Sequence, residues 1–164
     1  MKQTDNFKFD EANVMNELVY RNLSEDEKRQ ICAWKYDGEY DLYNLPSYEE
    51  MQVRQIGFMN PQREKNYYGF WDESILVGFV NILEEKEEVF IGIGVNPDLC
   101  NKHYGQRMLL ITYEISKKLY PDKPLYLEVR TWNIRAVKCY QKAGFRIDGQ
   151  AYELTTGIGT GTFY

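Results

Sequence analysis

Between Leu125 and Phe145 the sequence reads LYLEVRTWNIRAVKCYQKAGF and sets three polar groups close together: the carboxylate of Glu128, the amide of Asn133 and the phenol of Tyr140. A carboxylate can accept a proton from an amine. A phenol, with a reference pKa near 10, stays protonated at neutral pH and can give its proton up. Each residue also has a plainer use. Glu128 shares a strand face with Arg130 and can pair with it. Tyr140 can be a core ring with its hydroxyl bonded to a carbonyl. Asn133 is a good helix N-cap.

The elements that must hold these groups follow from periodicity. LYLEVR alternates, with Leu125, Leu127 and Val129 on one side and Tyr126, Glu128 and Arg130 on the other. Asn133 then opens a helix, IRAVKCYQKA, closed by Gly144. Upstream, YYGFWD from Tyr67, ILVGFVNILEE and EVFIGIGVNP are strand-like runs separated by short acidic turns, which predicts antiparallel hairpins. A helix is expected from Gly105 to Tyr120, with a stripe of Met108, Ile111, Ile115 and Leu119, basic residues in its last turn and Pro121 after it. Val19 to Leu23 reads as a first strand, and SEDE, Ser24 to Glu27, as a capping box for a helix running to Trp34. The segment WKYDGEYDLYNLPSYEEM reads as aromatic loop, either a flap beside a site or a connection packed by its own rings. FRIDGQAYEL is expected as a further strand, TTGIGTG as a turn, and TFY as the start of a last strand whose end frays. The result is an α/β chain with a mixed, mostly antiparallel sheet of six to seven strands flanked by helices.

The 164 residues suffice for a single domain, 1–164, and 43% hydrophobic with 27% charged residues is ordinary for a soluble protein. Net charge is −5, which disfavours sequence-independent nucleic acid binding and mildly favours cationic partners. Three cysteines, Cys32, Cys100 and Cys139, lack metal-type spacing, and with His103 as the one histidine no metal is expected. Reduced thiols and a cytoplasmic location are the plain expectation. The polar start MKQTDNFKFDEANVMN has no signal-peptide pattern, and no apolar run approaches the roughly 20 residues of a membrane span. The run EEKEE from Glu84 is expected as a solvated turn. A homodimer through a sheet edge or the tyrosine-rich surface is left open.

From Tyr67 to Phe145 the chain resembles the GNAT superfamily of acyl-CoA-dependent N-acetyltransferases; the residues before it match nothing diagnostic. One motif is GVNPDLCNKHYGQRMLL, where Val95, Pro97 and Gly105 stand as in the family, while Cys100 replaces a usual Gln or Arg and His103 a usual glycine. The more specific motif is LEVR followed by Asn133, Ala136, Tyr140 and Gly144-Phe145. It looks like the enzymes that acetylate the N-terminal alanine of a ribosomal protein.

That resemblance implies an acetyl-CoA-dependent N-acetyltransferase in which an amine attacks the thioester directly in a ternary complex, without metal or acyl-enzyme. It implies Glu128 as general base and Tyr140 as general acid. Backbone N–H groups around Ile93, Gly94 and Val95 would face the oxyanion. Asn101, Lys102, His103, Tyr104, Gly105 and Gln106 would cradle the pyrophosphate at a helix N-terminus, and Asn133 with Tyr140 would touch the pantetheine arm. Asn and His tolerate the positive φ for which glycine is usual there. The acceptor would be a protein N-terminus or a small amine. The departures at Cys100 and His103 keep an alternative open, a catalytically silent acyl-CoA-binding sensor, with a protein-interaction domain more distant.

Overall fold

The alternating runs after Tyr67 form β3 (Tyr67–Asp72), β4 (Ile75–Glu84) and β5 (Val89–Val95), an antiparallel meander with Val80 opposite both Tyr68 and Ile93. A computed structural model describes residues 1–3 and 18–164 of the chain. The polar stretch 4–17, part of the amino-terminal segment read above, lies outside the described residues. β2 (Val19–Asn22) pairs with β3, and the connection from β5 passes through α3 (Tyr104–Leu119) to β6 (Leu125–Tyr126), which is parallel to β5. A strand of two polar residues, β1 (Lys2–Gln3), lies between β6 and β7 (Phe145–Arg146). The seven-stranded sheet has the order β2-β3-β4-β5-β6-β1-β7, and β8 (Tyr152–Thr156) with β9 (Gly159–Phe163) forms a separate hairpin.

Two apolar clusters hold the helices to the sheet. The larger joins Phe70, Val77, Val80 and Ile91 to Met108, Leu109 and Ile115 of α3 and to Val137 of α4 (Ile134–Lys142). The smaller joins Ile31 and Cys32 of α1 (Glu25–Ala33) and Met51 of α2 (Tyr48–Arg54) to Phe58, Tyr67, Trp71 and Leu76. α1 begins as its capping box requires, with the Ser24 N–H donating to Glu27 at 2.7 Å.

Three expectations shift. The face of α3 that packs is Met108, Leu109, Thr112, Ile115 and Ser116, while Leu119 is exposed. Thr112 can be buried because its hydroxyl donates to the Met108 carbonyl at 2.7 Å, a partner that hydropathy does not reveal. The FRIDGQAYEL run breaks in two between Arg146 and Tyr152, where Gly149 takes a positive φ. The final strand starts at Gly159, turned by its positive φ of 98°, and its end is held: Tyr164 and Val129 exchange both backbone hydrogen bonds.

Candidate active site

β5 keeps β6 as a partner only at Val89 and Phe90. Beyond them the chain through Leu127 and Val129 turns to other partners, the carbonyl of Met1 and the backbone of Tyr164. The two arms therefore part, and between them opens a cavity of about 1040 Å³. Antiparallel pairing alternates. Because the Asn96 N–H donates to Val77 and the Val89 N–H to Pro124, the backbone groups of Ile91, Ile93 and Val95 turn from β4 toward the opening. Those of Gly92 and Gly94 turn back into the β4 ladder. Ile93 and Val95 thus present N–H groups to the cleft and Gly94 does not. Gly94 serves packing instead: an added Cβ would sit 2.4 Å from the Phe79 ring.

At one end of the cavity the residues after Asn96 wind into α3. Asn101 and His103 both take positive φ, 64° and 65°, so the loop makes its turns without glycine. Asn101, His103, Tyr104, Gly105 and Gln106 line the cavity, whereas Lys102 does not. A helix start of this length leaves backbone N–H groups and the positive dipole end free for an anion. Gly105 is where α4 comes closest: a Cβ there would stand 3.0 Å from the Cys139 sulfur. The loop fits a pyrophosphate in backbone shape and in close approach. Burial pushes the Cys139 thiol up to about 11, which keeps it protonated and unreactive. Among the described residues no group of three metal-ligating side chains occurs.

Glu128, Asn133 and Tyr140 line the same cavity. No ion pair joins Glu128 to Arg130. The Glu128 carboxylate instead accepts from the Tyr152 hydroxyl at 3.1 Å. Burial pushes the Tyr140 hydroxyl well above the usual tyrosine range, reinforced by Cys139, Tyr43 and Tyr36 around it. Asn133 caps α4, its side-chain oxygen accepting from the Ala136 N–H at 3.1 Å, and its amide nitrogen donates to the Tyr43 hydroxyl at 3.2 Å.

Arg130 is buried and clamps the β8–β9 turn, donating to the carbonyls of Gly159 at 3.0 Å and Thr160 at 3.2 Å. Thr156, Gly157 and Ile158 of that turn form part of the cavity wall. Arg130→Met should cost about 1.5–3 kcal/mol, the range for hydrogen bonds to a charged group, read as a lower denaturant midpoint with faster amide exchange across the hairpin. Gly161→Ala, whose Cβ would fall 1.9 Å from the guanidinium, should speed the same amides. Unchanged exchange in both variants would deny the clamp any role.

The aromatic segment after α1 crosses the opening. It contains a 3-10 turn, Gly38–Tyr43, and is cinched by Asn44, which accepts from the Tyr36 N–H at 2.6 Å and donates to the Tyr36 carbonyl at 3.1 Å. The Tyr36 hydroxyl donates to the Val95 carbonyl at 2.7 Å on one arm, and Tyr43 meets Asn133 on the other. The segment is therefore both packed by its own rings and part of the site. Sequence reasoning flagged it without choosing Tyr36 or Tyr43. It missed Arg135, Lys138 and Lys142, although their spacing of three and four along α4 puts them on one face of that helix.

The sequence profile of the acetyltransferase (GNAT) family matches residues 20–145. No curated protein matches the chain significantly. Among solved structures, a GNAT-family acetyltransferase from Bacillus anthracis superposes with a TM-score of 0.71 at 18% identity, covering 91% of this chain and 93% of its own. Aminoglycoside acetyltransferase AAC(6')-Ib in complex with coenzyme A and kanamycin gives 0.68 at 17% identity, covering 89% and 92%. A chimera of the spermidine N-acetyltransferase SpeG from Vibrio cholerae and hSSAT gives 0.66 at 18% identity, covering 90% and 93%.

Proposed function

Since the chain belongs to the acetyltransferase (GNAT) family, we propose that residues 1–164 act as one domain that transfers an acetyl group from acetyl-CoA to a primary amine by direct attack in a ternary complex. The observation that carries this reading is the parting of β5 from β6 beside the N-terminus of α3, with Glu128 and Tyr140 lining the same opening. Acetyl-CoA supplies the activated acyl group. The chain supplies the rest. Backbone N–H groups between Asn101 and Gln106 hold the pyrophosphate, and Ile93 and Val95 offer N–H groups to the extended arm and the carbonyl oxygen. Glu128 takes the proton of the acceptor ammonium, directly or through a water. Tyr140 holds a proton for the departing sulfur. The acceptor amine belongs to a protein N-terminus or to a small molecule. No helix among the described residues is long and apolar enough to cross a membrane. Three cysteines without a disulfide suit a reducing compartment, and a cytoplasmic location is part of this proposal.

The silent sensor gains nothing from the loop, since Asn101 and His103 adopt the required backbone themselves. Calorimetric titration with acetyl-CoA, desulfo-CoA and adenosine diphosphate tests the donor site. Binding that depends on the pyrophosphate is expected. No binding of acetyl-CoA at millimolar concentration would overturn the reading.

A further inference from the structure

The inner edge of β5 already has an occupant at one end. Val95 is the last residue of the strand, its backbone groups face the opening, and its carbonyl accepts from the Tyr36 hydroxyl at 2.7 Å. Cys100, in the loop that follows β5, also acts on that hydroxyl, which places the phenol where the strand passes into the loop. An acyl donor held at the loop by its pyrophosphate runs past this point to reach Ile93. The arm of coenzyme A is an extended chain with two amides. It meets the open edge of β5 as an added strand would, giving N–H groups to carbonyls and taking N–H groups in return. The carbonyl at the loop end of that edge is the one Tyr36 holds.

The phenol is aimed there by a frame. The Tyr36 N–H and carbonyl are both tied to the Asn44 side chain, which closes the strap on itself. Farther along, the strap is riveted to the start of α4. The Arg135 guanidinium lies 4.0 Å from the centre of the Tyr40 ring, and the Trp132 ring stands 5.6 Å from Tyr40 and 6.0 Å from Tyr43. Asn133 adds its hydrogen bond to the Tyr43 hydroxyl at 3.2 Å. Its cap fixes the sense of that bond: the amide oxygen takes the Ala136 N–H, so the nitrogen is left to face Tyr43 and donate. Held this way, the phenol cannot slide along the edge of β5 while keeping its bond. A carbonyl has a second lone pair, but the ring stands on the same open side that the arm needs. We propose that Tyr36 is a latch on the donor channel: its hydroxyl holds the Val95 carbonyl in the empty cleft, and the arm of the acyl donor takes that carbonyl over when the side chain rotates away. This inference rests on the reading of the cleft as the acetyl-CoA site.

A latch of this kind lowers the apparent affinity of the donor by the fraction of molecules that are open. Removing one hydroxyl should therefore improve binding, which is the opposite of what a contact to the donor would give. The test is stopped-flow binding to the full chain, read by tryptophan fluorescence because Trp132 stands beside the strap. Tyr36→Phe keeps the ring and should bind acetyl-CoA about 3- to 10-fold tighter than the parent, the worth of one net hydrogen bond. The gain should lie in the association rate, with dissociation within about twofold of the parent, because the variant differs in how often it is open. Adenosine diphosphate carries the pyrophosphate without the arm, and its affinity should be the same in both proteins. Acetyl-CoA binding that is unchanged or weaker in Tyr36→Phe overturns the latch. So does a gain that lies in dissociation, or one that adenosine diphosphate shares, since neither would come from freeing the Val95 carbonyl. A parent that binds neither acetyl-CoA nor adenosine diphosphate overturns the donor site and the latch with it, whereas a parent that binds both with no gain in the variant overturns the latch alone.

Discussion

Glu128→Gln is expected to lower kcat/KM by about 10²–10⁴-fold near neutral pH, the usual worth of a positioned general base. The loss should shrink as pH rises. An α-amino group has a reference pKa of about 8 and a lysine-like amine about 10.4, so at neutral pH most of the acceptor is ammonium and must lose a proton before it can attack. In the proposed mechanism the parent enzyme removes that proton with the Glu128 carboxylate. The variant can only wait for the free amine, whose fraction grows about tenfold per pH unit below the amine pKa. Its rate should therefore climb steeply where the parent profile is flatter, and the two should converge at alkaline pH. The structure supports the assignment through what Glu128 touches. Tyr152 donates to one carboxylate oxygen at 3.1 Å, which orients the group and leaves the other oxygen for an amine or a water. Glutamine keeps the size and can still accept from Tyr152, so lost activity would not reflect a lost contact. Acetyl-CoA affinity should stay within a few-fold of the parent, because the carboxylate lies away from the phosphate loop. A Gln variant with the parent pH profile would take Glu128 out of the mechanism.

What the sequence made legible depended on how far apart the cooperating residues lie. β3, β4 and β5 could be read because alternation and short turns are local, and their register followed from hairpin connections. α4 could be read from its Asn133 cap to its Gly144 end for the same reason. β1 could not: Lys2–Gln3 carries no period, and it is a strand only because β6 and β7 leave a gap between them. The strand LEVR could be read only in part. Its alternation is real, with Leu127 and Val129 buried, but the loss of its parallel partner after Tyr126 is decided by Met1 and Tyr164 at distant points in the chain. The site shows the same limit. Glu128, Asn133 and Tyr140 are neighbours in sequence and were visible together. Tyr36 on the Val95 carbonyl and Tyr43 on Asn133 are contacts across long separations, and one of them is to a backbone atom that every residue possesses. Arg130 illustrates the cost of reasoning from spacing: the nearest carboxylate in sequence was Glu128, but the arginine went to backbone carbonyls of the hairpin turn.

Tyr140→Phe is the second large effect expected, a fall in kcat of about 10²–10³-fold, within the range for loss of a general acid, with acetyl-CoA affinity nearly unchanged. The hydroxyl sits among Cys139, Tyr43 and Tyr36 in a setting that disfavours the phenolate, so its pKa lies above the ordinary tyrosine value. A thiolate leaving in the same pocket would be poorly solvated too and would gain a proton donor already in place. The direction of the shift fixes the pH behaviour. An acid whose pKa is raised stays protonated to higher pH, so the parent should show no alkaline loss of kcat from Tyr140 below about pH 10, the reference value for the free side chain. Phenylalanine keeps the ring that packs against the main core, so the fold and the donor site should survive and the effect should fall on the chemical step. An acyl donor with a more acidic thiol separates this from simple misplacement. If the hydroxyl protonates the leaving sulfur, an aryl thioester of acetate should lose far less between parent and variant than acetyl-CoA does, because its thiolate needs no proton. If both donors lose equally, Tyr140 positions the arm rather than protonating it. If neither loses, the hydroxyl has no part in the transfer, and the proton must come from solvent entering along the strap of Tyr36 and Tyr43.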